Sequence, residues 1–237
     1  REEAQEFYHR QVDGLVDGGV DGFVLETFSD LNEMEQAFKA IRSRSSLPVM
    51  CQVTVGEDCC TSYGTSPEDV ATAVTAWGAD VIGINCSVGP AVMLDAVERM
   101  AEVTDLPLSA QPNAGLPRAV GDRKIYLASP EYMAQYARRM IEAGARFVGG
   151  CCGTSPEHIR SIRALVGGVR PPSTRARPGS HAEPHDTPIQ PEVPLGERSV
   201  WGRQIAEGTF VTSVEVTPPK GWNAEVLLEQ CRRMQAA

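Results

Sequence analysis

The strongest constraint on this 237-residue chain is a unit that recurs along it: an amphipathic stretch that stops at glycine, then a short apolar run that stops at a reactive side chain. Gly19-Val20-Asp21, Gly78-Ala79-Asp80 and Gly144-Ala145-Arg146 mark three of these junctions. The runs that follow end on Glu26, on Cys86 and on Cys151-Cys152. Ser66-Pro67-Glu68, Ser129-Pro130-Glu131 and Ser155-Pro156-Glu157 read as helix starts. Serine caps the first free N–H groups, proline suits the first helical position, and an acid complements the helix dipole. Further strands are predicted over residues 47–55 and 106–111, with helices over 3–17, 30–44 and 90–103. Five strand–helix units precede residue 167.

Apolar strands alternating with amphipathic helices make an α/β chain with a parallel sheet covered on both faces. An open doubly wound sheet fits less well, because no Gly-x-Gly-x-x-Gly turn follows a strand. Reactive residues at the C-terminal ends of several strands are the habit of a (β/α)8 (TIM) barrel. A complete barrel needs about three more units. Residues 1–167 therefore read as the C-terminal part of a barrel, truncated here at its N-terminal side.

The pattern breaks at residues 168–199, where seven prolines lie among Gly, Ser, Arg and Glu with no apolar period. This composition predicts a linker. Residues 200–237 offer a short helical piece near 199–201, a strand over 210–221 and a helix over 222–234. One strand and one helix cannot bury a core, so this stretch reads as the start of a second, incomplete domain.

Composition narrows the partners. The net charge of -9 argues against nucleic acid or an anionic membrane surface. No apolar run approaches the ~20 residues of a membrane span. Seven cysteines, four of them in two adjacent pairs, do not form the framework of a secreted disulfide scaffold. A reducing, cytoplasmic setting is expected.

Adjacent strand residues point to opposite faces, so Cys151 and Cys152 face one ligand only where the strand bends away, as Gly149, Gly150 and Gly153 permit. With Cys86 they offer three thiolates. Closed structural zinc sites use four protein ligands, whereas three leave a position for water or substrate. A substrate thiol in that position would be held as a thiolate at neutral pH. On chemistry alone, two other readings stay open: buried apolar cysteines, or a redox-active Cys151/Cys152 pair in a chain that is otherwise non-catalytic. The redox reading gives Cys86 no task.

Gly83-Ile84-Asn85-Cys86 together with Gly149-Gly150-Cys151-Cys152-Gly153-Thr154 strongly resembles the zinc-dependent homocysteine S-methyltransferase family. Leu25-Glu26-Thr27-Phe28 and Asn113-Ala114-Gly115-Leu116-Pro117 match the same family in the same order. The resemblance implies a (β/α)8 barrel, Zn2+ on Cys86, Cys151 and Cys152, and transfer of a methyl group to homocysteine to give methionine. It places the glutamate that binds the homocysteine amino group at Glu26, with Asn85 and Asn113 near the pocket. The donor it implies is methylfolate, S-methylmethionine or S-adenosylmethionine. The family's first strands, which help form the substrate pocket, have no counterpart here.

Ser213-Val214-Glu215-Val216-Thr217-Pro218-Pro219-Lys220 looks like the first strand of methylenetetrahydrofolate reductase, which would make Glu215 the proton donor of that part. Methyltransferase, linker and reductase in that order resemble a bifunctional bacterial architecture. FAD belongs to a complete reductase domain, so this chain alone is not expected to reduce methylenetetrahydrofolate.

Cys59-Cys60 lies in a polar loop and matches no ligand of the family, and Cys51 reads as a core residue. Cys231 sits on the last helix without a partner. His9, His158, His181 and His185 follow no strand end.

Overall fold

The computed structural model describes residues 2–120, 123–169, 193–209, 211 and 224–235. The five expected strand–helix units are present. Helix α1 (Glu2–Asp17) precedes β1 (Phe23–Phe28), α2 (Leu31–Arg44), β2 (Val49–Val53), α3 (Pro67–Trp77), β3 (Val81–Asn85) and α4 (Pro90–Ala101). There follow β4 (Leu108–Gln111), a hairpin of β5 (Arg118–Val120) and β6 (Arg123–Ile125), α5 (Pro130–Glu142), β7 (Ala145–Val148) and α6 (Pro156–Val166). The five long strands form one parallel sheet in the order β1-β2-β3-β4-β7. Each neighbours the next in sequence among the sheet strands, so the sheet has no point where strand order reverses.

The helix starts follow from their sequences. Ser66 accepts the Asp69 N–H and Ser129 accepts the Tyr132 N–H, each with proline next in line. At α6 the capping box uses histidine where glutamate is usual. His158 Nδ1 accepts the Ser155 N–H, which makes Nε2 the protonated nitrogen that donates to the Ala128 carbonyl. This buried histidine ties the start of α6 to the segment ahead of α5.

Alternation along the strands separates two faces. Phe23, Leu25, Cys51, Val53, Ile82, Ile84 and Ala110 pack with Met34, Phe38, Val70, Met93, Met133 and Met140 of the helices. Burial of each of the larger of these side chains contributes about 1.5–3 kcal/mol. The opposite face carries Met50, Gln52, Val81 and Phe147. There Gly83 lies so close to Ser109 that a β-carbon would overlap it, and Gln52 Nε2 donates to Ser109 Oγ at 2.9 Å.

Two features depart from expectation. The hairpin of β5 and β6 had no signal in the sequence. The predicted linker over 168–199 also ends early. Helix α7 (Leu195–Arg198) lies inside it and runs on to α8 (Val200–Ala206). Trp201 and Ile205 cover Met50, Val81 and Phe147, and Arg198 meets the buried Asp80 at 2.7 Å. Asp80 also pairs with Arg42 at 2.7 Å and accepts the Val49 N–H. Apolar cover with a paired charge is reason enough for order here, and both contacts are non-local. This segment sits at the start of β3, the sheet end away from Cys86. The predicted strand over 210–221, with Glu215, lies outside the described residues apart from Val211. The last predicted helix is present as α9 (Glu225–Gln235).

Candidate metal centre

Cys86 directly follows β3, while Cys151 and Cys152 come three and four residues after β7. Strand β4 separates these two strands, and it and the residues after it bind both. The Cys86 N–H donates to the Gln111 carbonyl at 3.0 Å, and the Gly149 N–H to that of Ala110 at 3.1 Å. The Cys151 N–H donates to the Pro112 carbonyl at 2.8 Å, and the Ala114 N–H to that of Cys152 at 2.9 Å. Residues 110–114 therefore act as a splint that brings the cysteine segments together.

The three sulfur atoms lie within 4.8 Å of one another, with Cys86 Sγ and Cys152 Sγ 3.7 Å apart. Zinc bonds of ~2.3 Å in a tetrahedron put thiolate sulfurs about 3.8 Å apart. The site has the donor number, softness and spacing for zinc, and it is the one such group among the described residues. Cys86 and Cys151 are half-buried and Cys152 is exposed, so the cluster is open on one side.

Backbone geometry aims these side chains. Cys86 and Ser87 both have positive φ, 61° and 58°. Two consecutive non-glycine residues in the left-handed region cost roughly 1–3 kcal/mol each. The neighbouring hydrogen bonds of Asn85, Cys86 and Val88 hold them there.

Two asparagines complete the frame. The Cys152 N–H donates to Asn113 Oδ1 at 3.0 Å, and Asn113 is buried. Asn85, also buried, uses both ends of its amide on Thr27. It accepts the Thr27 N–H at 2.8 Å and donates to Thr27 Oγ1 at 2.6 Å. Thr27 has φ 62°, a conformation a β-branched residue rarely adopts. Glu26 and Thr27 fall in the irregularity of the β1–β2 ladder between Leu25 and Phe28, and such bulges re-aim side chains. Glu26 is exposed and lines a groove of about 380 Å3 with Tyr8, Val24 and Phe28. Asn85 thus stands between the strand that carries Glu26 and the cysteine next to itself. The observed partners of Asn85 and Asn113 are protein groups.

At Cys151 and Cys152 the surroundings favour the thiol over the free thiolate. Burial, then the neighbouring Cys86, pushes the Cys151 thiol well up. Cys152 is raised for the same reasons, with a hydrogen bond from Tyr126 acting the other way. A cation at the centre would reverse this balance, because zinc displaces thiol protons.

Tyr126 is the residue that motif reading missed. It follows the hairpin, is half-buried, and packs on Gly153. No spacing rule singles it out, since its contact with Cys152 is non-local. The other cysteines lie elsewhere. Cys51 is fully buried among the helices, and burial pushes its thiol up to about 12. Cys59 and Cys60 occupy a local turn, and Cys231 lies on α9. Glu215 lies outside the described residues.

Residues 1–166 match the model of the homocysteine S-methyltransferase family. Among curated relatives, methionine synthase of Mycobacterium tuberculosis is 35% identical over 165 residues, which are 67% of this chain and 14% of that protein. Methionine synthase of Mycobacterium leprae is 35% identical over 159 residues, 65% of this chain and 13% of that protein. The chain thus spans only about a seventh of the length of these relatives. Among solved structures, the apo form of the homocysteine methyltransferase MmuM from Escherichia coli superimposes with a TM-score of 0.58 at 27% identity, covering 69% of this chain and 56% of that one. The metallated form of the same protein gives 0.57 at 26% identity, covering 69% and 51%.

Proposed function

The chain belongs to the homocysteine S-methyltransferase family, and on that premise we propose that residues 1–166 carry the metal-binding part of an enzyme that methylates homocysteine to methionine. The observation that carries this reading is the convergence of Cys86, Cys151 and Cys152 within 4.8 Å beyond the ends of β3 and β7. Zinc bound there supplies the positive charge that keeps a substrate thiol deprotonated at neutral pH.

The chain's own residues do the rest. The three cysteines hold the metal and leave one side open to solvent. Asn113 fixes the backbone of Cys152, and Asn85 fixes the bulge that presents Glu26. The Glu26 carboxylate suits the ammonium group of homocysteine. The substrate sulfur then forms a bond to the donor's methyl carbon as the bond from that carbon to the donor breaks, and the electron pair leaves with the donor. Methylfolate, S-methylmethionine and S-adenosylmethionine are the donor classes for such a step. The family reading and the consecutive parallel strands support a parent (β/α)8 barrel.

The Ser213–Lys220 motif supports a parent protein that continues into a methylenetetrahydrofolate reductase, with FAD as cofactor and Glu215 as proton donor. Seven free thiols favour a reducing cytoplasmic setting. Among the described residues, no helix is long and apolar enough to cross a membrane. The alternative Cys151/Cys152 redox pair is less well supported, because Cys86, from the other strand, lies only 3.7 Å from Cys152 in sulfur separation.

The test is elemental analysis of zinc on chain purified under reducing conditions, beside Cys86→Ser and Cys152→Ser variants, with circular dichroism to verify folding. Near one zinc per chain, lost in both variants, is the expected result. A folded wild-type chain without zinc would sink the proposal. Calorimetric titration with homocysteine follows, with binding expected in the zinc-loaded chain alone.

A further inference from the structure

The segment after the hairpin is pinned at several points. The Ala128 N–H donates to the Ala114 carbonyl at 2.9 Å, and the Ala128 carbonyl accepts from His158 Nε2 at 3.0 Å. The Ala114 N–H in turn donates to the Cys152 carbonyl. Tyr126 is therefore set beside the cysteine cluster by a short chain of hydrogen bonds through Ala128, Ala114 and His158. Its ring lies where a β-carbon on Gly153 would stand, so the glycine after the two cysteines makes the seat for it. Gly153 has φ 79°, which further disfavours any side chain there. The ring so seated stands one residue along the chain from Cys152.

Building on the zinc reading above, we propose that Tyr126 is a positioning residue of the metal centre, whose hydroxyl donates to Cys152 Sγ, fixes that ligand's rotamer and draws charge from its sulfur. The need for such a donor follows from the ligand set. Three thiolates around one divalent cation leave the centre net negative, and Cys152 is the exposed member of the three. A hydrogen bond from outside the ligand shell spreads this charge and orients the ligand, and losing such a partner commonly lowers metal affinity by about 10–100-fold. Tyrosine performs this without adding a charge of its own, since a phenol is ordinarily neutral at pH 7.

The experiment compares wild type, Tyr126→Phe and Tyr126→Leu. Zinc affinity is measured by competition with a chromophoric chelator, the charge-transfer band is recorded after Co(II) substitution, and circular dichroism reports folding. Tyr126→Phe keeps the ring on Gly153 and deletes only the hydroxyl. The expected result is a folded chain whose zinc affinity falls about tenfold. Its cobalt–thiolate band should move to lower energy, because a sulfur without its donor is easier to oxidise. A Phe variant that matches wild type in both readouts overturns the proposal, and so does a loss confined to Tyr126→Leu, which would assign the tyrosine to packing alone. A folded wild type that binds neither metal removes the acceptor and overturns the zinc reading together with this one.

Discussion

Cys59-Cys60 and Cys151-Cys152 are the same dipeptide in two settings. The first sits in a turn that closes on itself. The Gly56 N–H donates to the Cys60 carbonyl, the Cys59 N–H to that of Gly56, and the Cys60 N–H to Asp58 Oδ1. Cys59 is buried and its Sγ lies 3.7 Å from the Val92 carbonyl. The backbone N–H groups of this turn find acceptors within five residues, and among the described residues no third thiol converges on it. At Cys151-Cys152 the backbone partners come from residues 112–114 and the third sulfur from Cys86. A pair of thiols becomes a candidate ligand set when non-local bonds orient both members and bring in another donor. The dipeptide alone carries none of that.

Mutating the two pairs in parallel gives the sharpest contrast. Cys152→Ser should reduce zinc from near one per chain to near none, whereas Cys60→Ser should leave the stoichiometry unchanged in the same elemental assay. Equal losses in the two variants would erase the distinction. One level smaller is the removal of each pair's side-chain cap. Asn113→Ala leaves the Cys152 N–H without its acceptor, which should lower stability by about 1–3 kcal/mol in urea unfolding and zinc affinity by about tenfold. Asp58→Ala removes an exposed cap from Cys60, and its effect should stay within about 1 kcal/mol. Asn85→Ala should also destabilise by about 1–3 kcal/mol, since it leaves the left-handed Thr27 unsupported.

The smallest effect is electrostatic and belongs to the first pair. Arg99, beside Cys59, makes two 2.7 Å hydrogen bonds to Glu68 and with local backbone help holds that carboxyl down to about 2. Because the folded-state value is depressed, the stabilisation is complete above the ordinary glutamate range and is lost as pH falls from about 4.5 towards 2. Both side chains are about one-third exposed, so the contribution is at most about 1 kcal/mol. The gap in urea midpoint between wild type and Glu68→Gln should narrow from pH 5 to pH 3. A constant gap would remove the ion pair from the account.

What the sequence made legible was whatever a local pattern encodes. The apolar runs before Cys86 and Cys151 announced strands, and Ser66, Ser129 and Ser155 with their prolines announced helices. The three cysteines were found because strand ends are recognisable, and family resemblance grouped them. What stayed hidden depends on contacts between distant residues. Helix α8 has seven residues, too few to show a period, and Trp201 makes sense only against Met50 and Phe147. The bulge at Glu26-Thr27 depends on an amide 58 residues away. Tyr126 is placed by a hairpin whose short strands lack an apolar alternation. The role of residues 110–114 is carried largely by backbone carbonyls, to which side-chain identity gives no clue.

That splint has a thermodynamic consequence. Because the sulfurs reach one point only while β3, β4 and β7 stay paired, metal occupancy and sheet integrity are linked equilibria. A metal that binds the paired state and not the separated one stabilises it by RT ln(1 + [metal]/Kd), about 2.7 kcal/mol at a hundredfold excess over Kd. The same linkage runs in reverse, so anything that loosens Gln111, Pro112 or Asn113 raises the rate at which metal escapes. Chelation should accordingly increase hydrogen exchange at the Gly149, Cys151 and Ala114 amides before it does so in the helix-covered core around Ile82. The centre would then report on the fold as much as it depends on it.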